Sequence, residues 1–176
     1  MKIPWMKKWL SVVTPLAAIA SLILSGALWT AVAGAEENAE DFMQLHNVEI
    51  AFHEAGSTKN LDLMLSLFND DAVLTAKRKT EDGKEQIKIY NGKDQIKGYW
   101  QAHPAFQPQN QWVGYTPAFR IHYEVAGNRA HLYFECLWMD KIAGKIAAHT
   151  NSDDQLVRVN GRWLIKEMTA ASVPEL

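Results

Sequence analysis

Three side chains of the kinds that carry acid/base chemistry, His103, His149 and Asp154, occupy positions from which they can face the interior of a fold. A carboxylate beside an imidazole suits proton transfer, because it orients the ring, which acts first as a base and then as an acid. If His149 and Asp154 both face inward, they form such a catalytic pair. His103 is the third catalytic candidate.

Both histidines are selected by periodicity. His103 lies on a helical stripe with Tyr99 and Trp100. His149 shares a strand face with Trp138 if the preceding connection is a four-residue loop. Each also has a structural interpretation, because a histidine at a helix end meets exposed carbonyl groups favourably, and a strand histidine can be a hydrogen-bonded wall residue.

The aspartates leave two alternatives open. Asp153 is the rival of Asp154, because a one-residue slip or a bulge exchanges the two faces of a strand. Both also suit a bend at the start of the strand, since they follow Asn151 and Ser152, which are turn formers. The sequence does not decide which carboxylate faces inward.

Aromatic residues predict either a pocket for a flat apolar ligand or simply a core, since such rings bury large areas. The predicted ligand-binding residues are Phe52, Tyr99, Trp100, Tyr123 and Trp138.

The sequence gives no support for other classes of site. It contains no glycine-rich phosphate loop, no His-Glu-x-x-His pair and no nucleophile elbow, and its six histidines are scattered. We therefore predict neither a metal nor a cofactor. Cys136 is the only cysteine and alternates with apolar residues, which indicates a small buried hydrophobic residue and excludes an internal disulfide.

The N-terminal segment has the pattern of a secretory signal. The first 35 residues contain three lysines and no acidic residue, whereas four of the next six residues are acidic. A basic start, an apolar stretch over residues 10–33 and small residues at its end predict a signal peptide at 1–35 and a domain at 36–176. The domain is then periplasmic or secreted. The alternative is an uncleaved membrane anchor with the domain facing outward, because about 20 apolar residues can span a bilayer.

The predicted domain is acidic. Three of the chain's 18 basic residues lie in the leader, so residues 36–176 hold 15 basic and 20 acidic side chains, a net charge of −5. Nucleic acids and anionic lipids attract basic proteins. We therefore predict no nucleic-acid partner, and membrane contact only through an uncleaved N-terminal segment.

Three helices are predicted in the first half of the domain. The first spans residues 37–55 and ends at Gly56, and His53 lies at the edge of its apolar stripe, which indicates a surface position. Asn60 caps a second helix at 61–68. A third helix follows Asn91-Gly92 and ends at Pro104.

Strand patterns dominate the rest. Turn signals at Asp82-Gly83 and Asn160-Gly161 predict hairpins. A turn at Gly127-Asn128 would pair apolar residues on one face: Val125 with Ala130, Tyr123 with Leu132, Ile121 with Phe134, and Phe119 with Cys136. The other face would then hold Glu124 with His131, His122 with Tyr133, and Arg120 with Glu135, all outside the core. This order of elements indicates an α+β fold.

Several stretches resemble the NTF2-like superfamily and, within it, the SnoaL-like group. They are distributed along nearly the whole of residues 36–176: Ala51-Phe52-His53, Asn60-Leu61-Asp62, Leu67 to Leu74, Asn91 to Ile96 and Asp154 to Ile165. The resemblance implies a cone, in which three N-terminal helices close over the concave face of a curved antiparallel sheet. It also implies that enzymes of the group place an Asp or His in the cone, with Asp154 at the position where several members carry an Asp.

The sequence thus predicts an exported protein that binds a small, largely apolar molecule in the cone, with cofactor-free acid/base catalysis of the isomerase, lyase or cyclase type as a further step. The alternative is a non-catalytic envelope protein that acts as an assembly or accessory module. An inward-facing ionisable pair in an open, aromatic-lined cavity would favour the first, and a filled cone with an apolar patch on the outer sheet would favour the second. We also predict a homodimer through the outer sheet face that carries Arg120, His122, Tyr133 and Glu135.

Overall fold

The computed structural model describes residues 39–80, 82–115 and 120–172. The chain divides into two units, Met1–Glu40 and Asp41–Leu176, and the fold presented here is that of the second. The predicted signal peptide lies outside the described residues. Within the described ranges, none of the helices combines the length and hydropathy needed to span a bilayer.

Three α-helices precede most of the sheet. Helix α1 is described over residues 39–58, α2 spans Leu61–Ser66 and α3 spans Gly92–Ala102. The backbone N–H of Leu63 donates to the Asn60 side-chain oxygen at 2.9 Å, which confirms the predicted cap of α2. A short 3-10 turn at Pro104–Phe106 follows α3.

The prediction that the first helix ends at Gly56 is wrong. Helix α1 continues to residue 58, and Gly56 is buried within it. A Cβ atom at Gly56 would lie 2.5 Å from Cη2 of Trp138. The glycine is therefore required because the indole of Trp138 packs directly against the helix backbone.

Seven strands form one mixed sheet. They are β1 (Phe68–Lys79), β2 (Glu85–Asn91), β3 (Trp112–Tyr115), β4 (Ile121–Ala126), β5 (Arg129–Asp140), β6 (Lys145–Val159) and β7 (Arg162–Ser172). Their order is β2-β1-β7-β6-β5-β3, and β4 also pairs with β5. Strands β1 and β7 are parallel, whereas the other pairs are antiparallel. The α+β class is confirmed, and the parallel pair corrects the expectation of a wholly antiparallel sheet.

The predicted pairing of β4 with β5 is confirmed. Ile121 pairs with Phe134, Tyr123 with Leu132, and Val125 with Ala130. The other face pairs His122 with Tyr133 and Glu124 with His131, as expected. The predicted contact of Phe119 with Cys136 involves a residue outside the described ranges.

A bulge changes the faces of β6. The connection between β5 and β6 has the predicted four residues, since Asp140 pairs with Lys145. The register then shifts, because Met139 pairs with Ile146 but Trp138 pairs with Ala148. Ala147 is therefore an extra residue, and every β6 residue beyond it faces the side opposite to the one a regular ladder would give. The even-numbered residues from Ala148 onward share the concave face with the core.

Candidate functional site

A cavity of about 500 Å³ lies against the concave face of the sheet. Its lining comes from α1, α3, the 3-10 turn and strands β1, β2, β3, β5, β6 and β7. The aromatic part of the wall contains Phe52, Trp100 and Trp138, and the Phe52 and Trp100 rings meet edge to face with centroids 5.4 Å apart. These rigid rings define an apolar chamber beneath α3.

His103 lines the cavity at the end of α3. The backbone N–H of Ala105 donates to its Nδ1 at 3.2 Å, so Nδ1 is the unprotonated nitrogen of the neutral ring. Burial lowers the pKa of His103 to about 4, because a charged imidazolium loses its hydration there. At neutral pH the ring is uncharged, with its proton on Nε2. His103 is therefore suited to donate a hydrogen bond and poorly suited to act as a base.

Asp154 lies beneath the cavity floor on β6. It is fully buried, and the Ser152 hydroxyl donates to its Oδ1 at 2.6 Å. Burial raises the pKa of Asp154 to about 8, against the opposing effect of the Ser152 hydrogen bond. Ser152 lines the cavity, whereas Oδ2 of Asp154 is covered and has no hydrogen-bond partner. The carboxyl group can therefore reach the cavity only through the Ser152 hydroxyl.

The rival Asp153 faces the other way. Its carboxylate is exposed and lies 2.7 Å from Nε2 of His131 on β5. The bulge thus leaves Asp154 on the concave face and Asp153 on the outer face.

The prediction that His149 faces the cone beside Trp138 is wrong. His149 pairs with Leu137, and its Nε2 lies 2.9 Å from Oε2 of Glu135 on the outer face. The extra residue Ala147 is the physical reason, because it moves His149 to the opposite face. His149 and Asp154 therefore do not form a pair.

The outer-face carboxylate that binds His149 is itself nearly covered. Glu135 is 3% exposed, and it accepts hydrogen bonds from Tyr133 Oη at 2.7 Å and Arg120 Nη1 at 3.2 Å. Partial desolvation raises its pKa, but the hydrogen bonds from Tyr133, His149 and Arg120 outweigh that effect, and the net pKa is lowered. The glutamate is outside the apolar core as expected, but it is buried by its partners.

Four of the five predicted ligand-binding aromatic residues line the cavity, namely Phe52, Tyr99, Trp100 and Trp138. Tyr123 does not, because it packs on Phe42 of α1 with ring centroids 4.9 Å apart. Burial raises the pKa of the Tyr99 phenol to about 12, so this side chain is a neutral donor.

Cys136 also lines the cavity, although its side chain is almost fully covered. Its Sγ lies 3.1 Å from Oγ1 of Thr150. Burial raises the thiol pKa to about 12, so the thiolate needed for nucleophilic attack does not form near neutral pH.

A second buried ionisable pair was missed from the sequence. His53 is 1% exposed, and its predicted surface position is wrong. Its Nδ1 lies 2.6 Å from Oε1 of fully buried Glu49, an ion-pair distance without hydrogen-bond geometry. His46 Nδ1 lies 3.5 Å from the other carboxylate oxygen. A Cβ at Gly114 would lie 2.8 Å from the His53 ring, so β3 covers this pair closely.

Basic residues of the cavity were also missed. Lys77, Arg78 and Lys88 line it, and among the described residues of its lining there is no aspartate or glutamate. The signal was present in the alternation of β1, since Arg78 continues the inward series of Leu74 and Ala76. In the described part of the chain, no cluster of three or more His, Cys, Asp or Glu side chains is arranged to hold a metal ion.

Comparisons with known proteins agree with this architecture. The family model of the SnoaL-like domain matches residues 37–169. No protein of curated function matches the sequence significantly.

Solved structures share the fold at low sequence identity. An NTF2-like protein with a cystatin-like fold from Novosphingobium aromaticivorans is 11% identical, with a TM-score of 0.66 over 84% of this chain and 91% of that chain. A Nostoc punctiforme protein of unknown function is 15% identical, with a TM-score of 0.64 over 78% and 95%. A proposed dehydratase of the NTF2-like family from Streptomyces avermitilis is 14% identical, with a TM-score of 0.59 over 78% and 99%.

Proposed function

This chain belongs to the SnoaL-like domain family, and from that premise we propose that it binds a small, largely apolar molecule in its cone. The observation that carries the proposal is the cavity of about 500 Å³ with its rigid aromatic wall. Pockets for small organic ligands have volumes of about 300–1,000 Å³ and are mostly apolar, with a few polar groups that fix orientation. Here those polar groups are Ser152, His103 and Tyr99.

The open, aromatic-lined cavity favours this function over the assembly module, although His149 and Asp154 do not form the expected ionisable pair in it. A protein that only assembles with others gains stability by filling its interior, because unfilled apolar space costs packing energy. A cone of this size kept open by Phe52, Trp100 and Trp138 is better explained by a molecule that occupies it.

Acid/base chemistry on the bound molecule is a second step of the proposal. At neutral pH the Asp154 carboxyl group is protonated, and it lies 2.6 Å from Oγ of Ser152. For proton transfer the hydrogen bond between these groups must reverse, so that a proton on Oδ1 of Asp154 is donated to Ser152 Oγ while the Ser152 hydroxyl proton passes to the ligand. A proton taken back from another position of the ligand by the same route restores Asp154. The Nε2–H of His103 would stabilise charge on a ligand oxygen. This cofactor-free arrangement suits an isomerase, lyase or cyclase, and one of the structural neighbours is itself a proposed dehydratase.

The binding proposal can be tested with naphthalene-2-carboxamide, a flat neutral probe, and the Ala170→Leu variant. Ala170 lies on the cavity floor, paired with Ser152 on β6 and Ala76 on β1. We expect saturable binding to the wild-type domain by titration calorimetry. The variant should bind at least about tenfold more weakly, because its larger side chain fills the chamber.

Ala126→Leu is the matched control, since Ala126 is exposed at the end of β4 and does not line the cavity. It should bind the amide as the wild type does. Equal affinity of Ala170→Leu and Ala126→Leu would show that the probe binds elsewhere, and the proposal would then fail.

We also propose export and homodimerisation. The charge break after residue 35 supports export, and a chain mass that shows no cleavage after Ala33 or Ala35 would contradict a cleaved signal. The buried polar network around Glu135 supports use of the outer sheet face as the dimer interface. A monomer mass in sedimentation equilibrium would contradict the dimer.

A further inference from the structure

The charged side chains that the structure describes in the cavity lining are all positive. Within residues 39–80, 82–115 and 120–172, the lining includes Lys77, Arg78 and Lys88 but no carboxylate, although the chain as a whole carries a net charge of −2. A molecule bound beside these three residues therefore meets a local excess of positive charge.

Two of these cations are neighbours on the concave face. Ala76 pairs with Lys88 and Arg78 pairs with Gln86, so Arg78 and Lys88 lie diagonally across the β1–β2 ladder. Diagonal neighbours on one face approach to about 7–8 Å, and like charges placed there repel one another. Among the described residues, neither side chain forms an ion pair with a carboxylate. An anion between them would remove this repulsion.

The two ends of the cavity differ in character. Arg78 and Lys88 are exposed, so the cationic end is open to solvent. The aromatic end is formed by Phe52, Trp100 and Trp138, of which Trp100 and Trp138 are almost completely buried. A molecule that satisfies both ends has an apolar ring at one end and a negative group at the other.

We propose that the ligand of this cavity is an aromatic or alicyclic carboxylate whose ring enters the aromatic chamber and whose carboxylate is bound by Arg78 and Lys88. The inference rests on the proposed ligand-binding function. A carboxylate suits this pair because the planar guanidinium of Arg78 matches its two oxygens, while the Lys88 ammonium supplies a second charge-assisted hydrogen bond.

The test compares naphthalene-2-carboxylate with naphthalene-2-carboxamide, which has the same shape without the charge. At pH 7.5 and low salt we expect the wild-type domain to prefer the carboxylate by about tenfold. Arg78→Gln and Lys88→Gln should each reduce carboxylate affinity by about two- to fivefold and leave amide affinity unchanged, as is usual for solvent-exposed ion pairs. The preference should shrink as the salt concentration rises.

Lys79→Gln is the matched control. Lys79 is adjacent to Arg78, and its substitution by Gln removes one positive charge, as the other two substitutions do. Lys79 pairs with Glu85 across the β1–β2 ladder and does not line the cavity. It should leave the affinities for both probes unchanged. All three positions are exposed, and thermal unfolding of each variant verifies that the fold is intact.

The outcomes separate the two proposals. Equal affinity for carboxylate and amide overturns the inference while ligand binding stands. An equal loss of preference in Lys79→Gln also overturns it, because the effect would then come from net charge alone. Absence of binding of both probes contradicts the proposed function and, with it, this inference.

Discussion

Asp154→Asn should abolish a large pH dependence of stability. The pKa of Asp154 is about 8 in the folded state against 3.8 for an unperturbed aspartate. Because the folded-state pKa is raised, the stabilising contribution is fully present below pH 4 and is lost as the pH rises towards 8. Between pH 5 and pH 8 the wild type should lose about 4 kcal/mol relative to the variant, at about 1.4 kcal/mol per pH unit.

The measurement is urea unfolding of both proteins at several pH values in this interval. Asparagine has nearly the same shape, and its side-chain oxygen can still accept from the Ser152 hydroxyl. Near pH 5 the two proteins should therefore differ by only about 1 kcal/mol. A difference in unfolding free energy that does not change with pH would mean that Asp154 is ionised in the folded state.

Asp153→Asn is the matched control on the adjacent residue. The Asp153 carboxylate is exposed, and its contact with His131 is of the surface kind that contributes at most about 1 kcal/mol. We expect its pH dependence to remain close to that of the wild type. The comparison of the two variants thus separates the effect of a buried carboxyl group on the pH dependence of stability from the effect of removing one carboxylate from β6.

His53→Phe should destabilise the domain by about 3–5 kcal/mol. The substitution keeps a flat ring against Gly114 but removes the nitrogen that lies 2.6 Å from Oε1 of Glu49. A fully buried carboxyl group that loses its partner pays its desolvation cost without compensation. His46 replaces the contact poorly, because it lies farther away at 3.5 Å and is partly exposed.

The double variant Glu49→Leu with His53→Phe tests the cause. Replacing both members of a buried ion pair by apolar residues is often neutral, so the double variant should lie within about 1–2 kcal/mol of the wild type in denaturant unfolding. If it is as unstable as His53→Phe alone, the loss comes from ring packing and not from the unpaired carboxyl group.

The local parts of the fold were predictable from the sequence because short turns fix strand register. At the last hairpin, Asn160 and Gly161 both have positive φ, 51° and 78°, which is the backbone that an Asn-Gly turn supplies. Gly127 serves the turn that sets the β4–β5 pairing. The first and third helices were predictable from hydrophobic periodicity and the second from its Asn60 cap, because these signals depend only on residues close together in the sequence.

The failures came from contacts that no local pattern encodes. The extra residue Ala147 reversed the face of His149, and nothing in the alternation of β6 marks it. In the sequence Gly56 indicates the end of a helix. In the structure a glycine is needed there because Trp138, which is distant in the sequence, packs against the helix backbone. The parallel pairing of β1 with β7 is likewise set by tertiary packing.

The site was predictable only in part. The aromatic wall followed from helical stripes, and the resemblance to SnoaL-like proteins favoured Asp154 over Asp153. The spacing of Glu49 and His53 places both on one helix face, but it does not reveal that β3 covers that face. The sequence of β1 alone also does not show that Arg78 and Lys88 are diagonal neighbours on the concave face, because Lys88 belongs to β2.

The parallel pairing of β1 with β7 also has a kinetic consequence. Strands β4 to β7 are joined in succession by short connections, so their contacts are local and close at little entropic cost. The β1–β2 hairpin instead docks on the final strand, where Val73 pairs with Glu167. Both sides of this junction line the cavity, so a nascent chain has no ligand chamber until its last strand has been synthesised. Gain of ligand binding would therefore mark the end of folding.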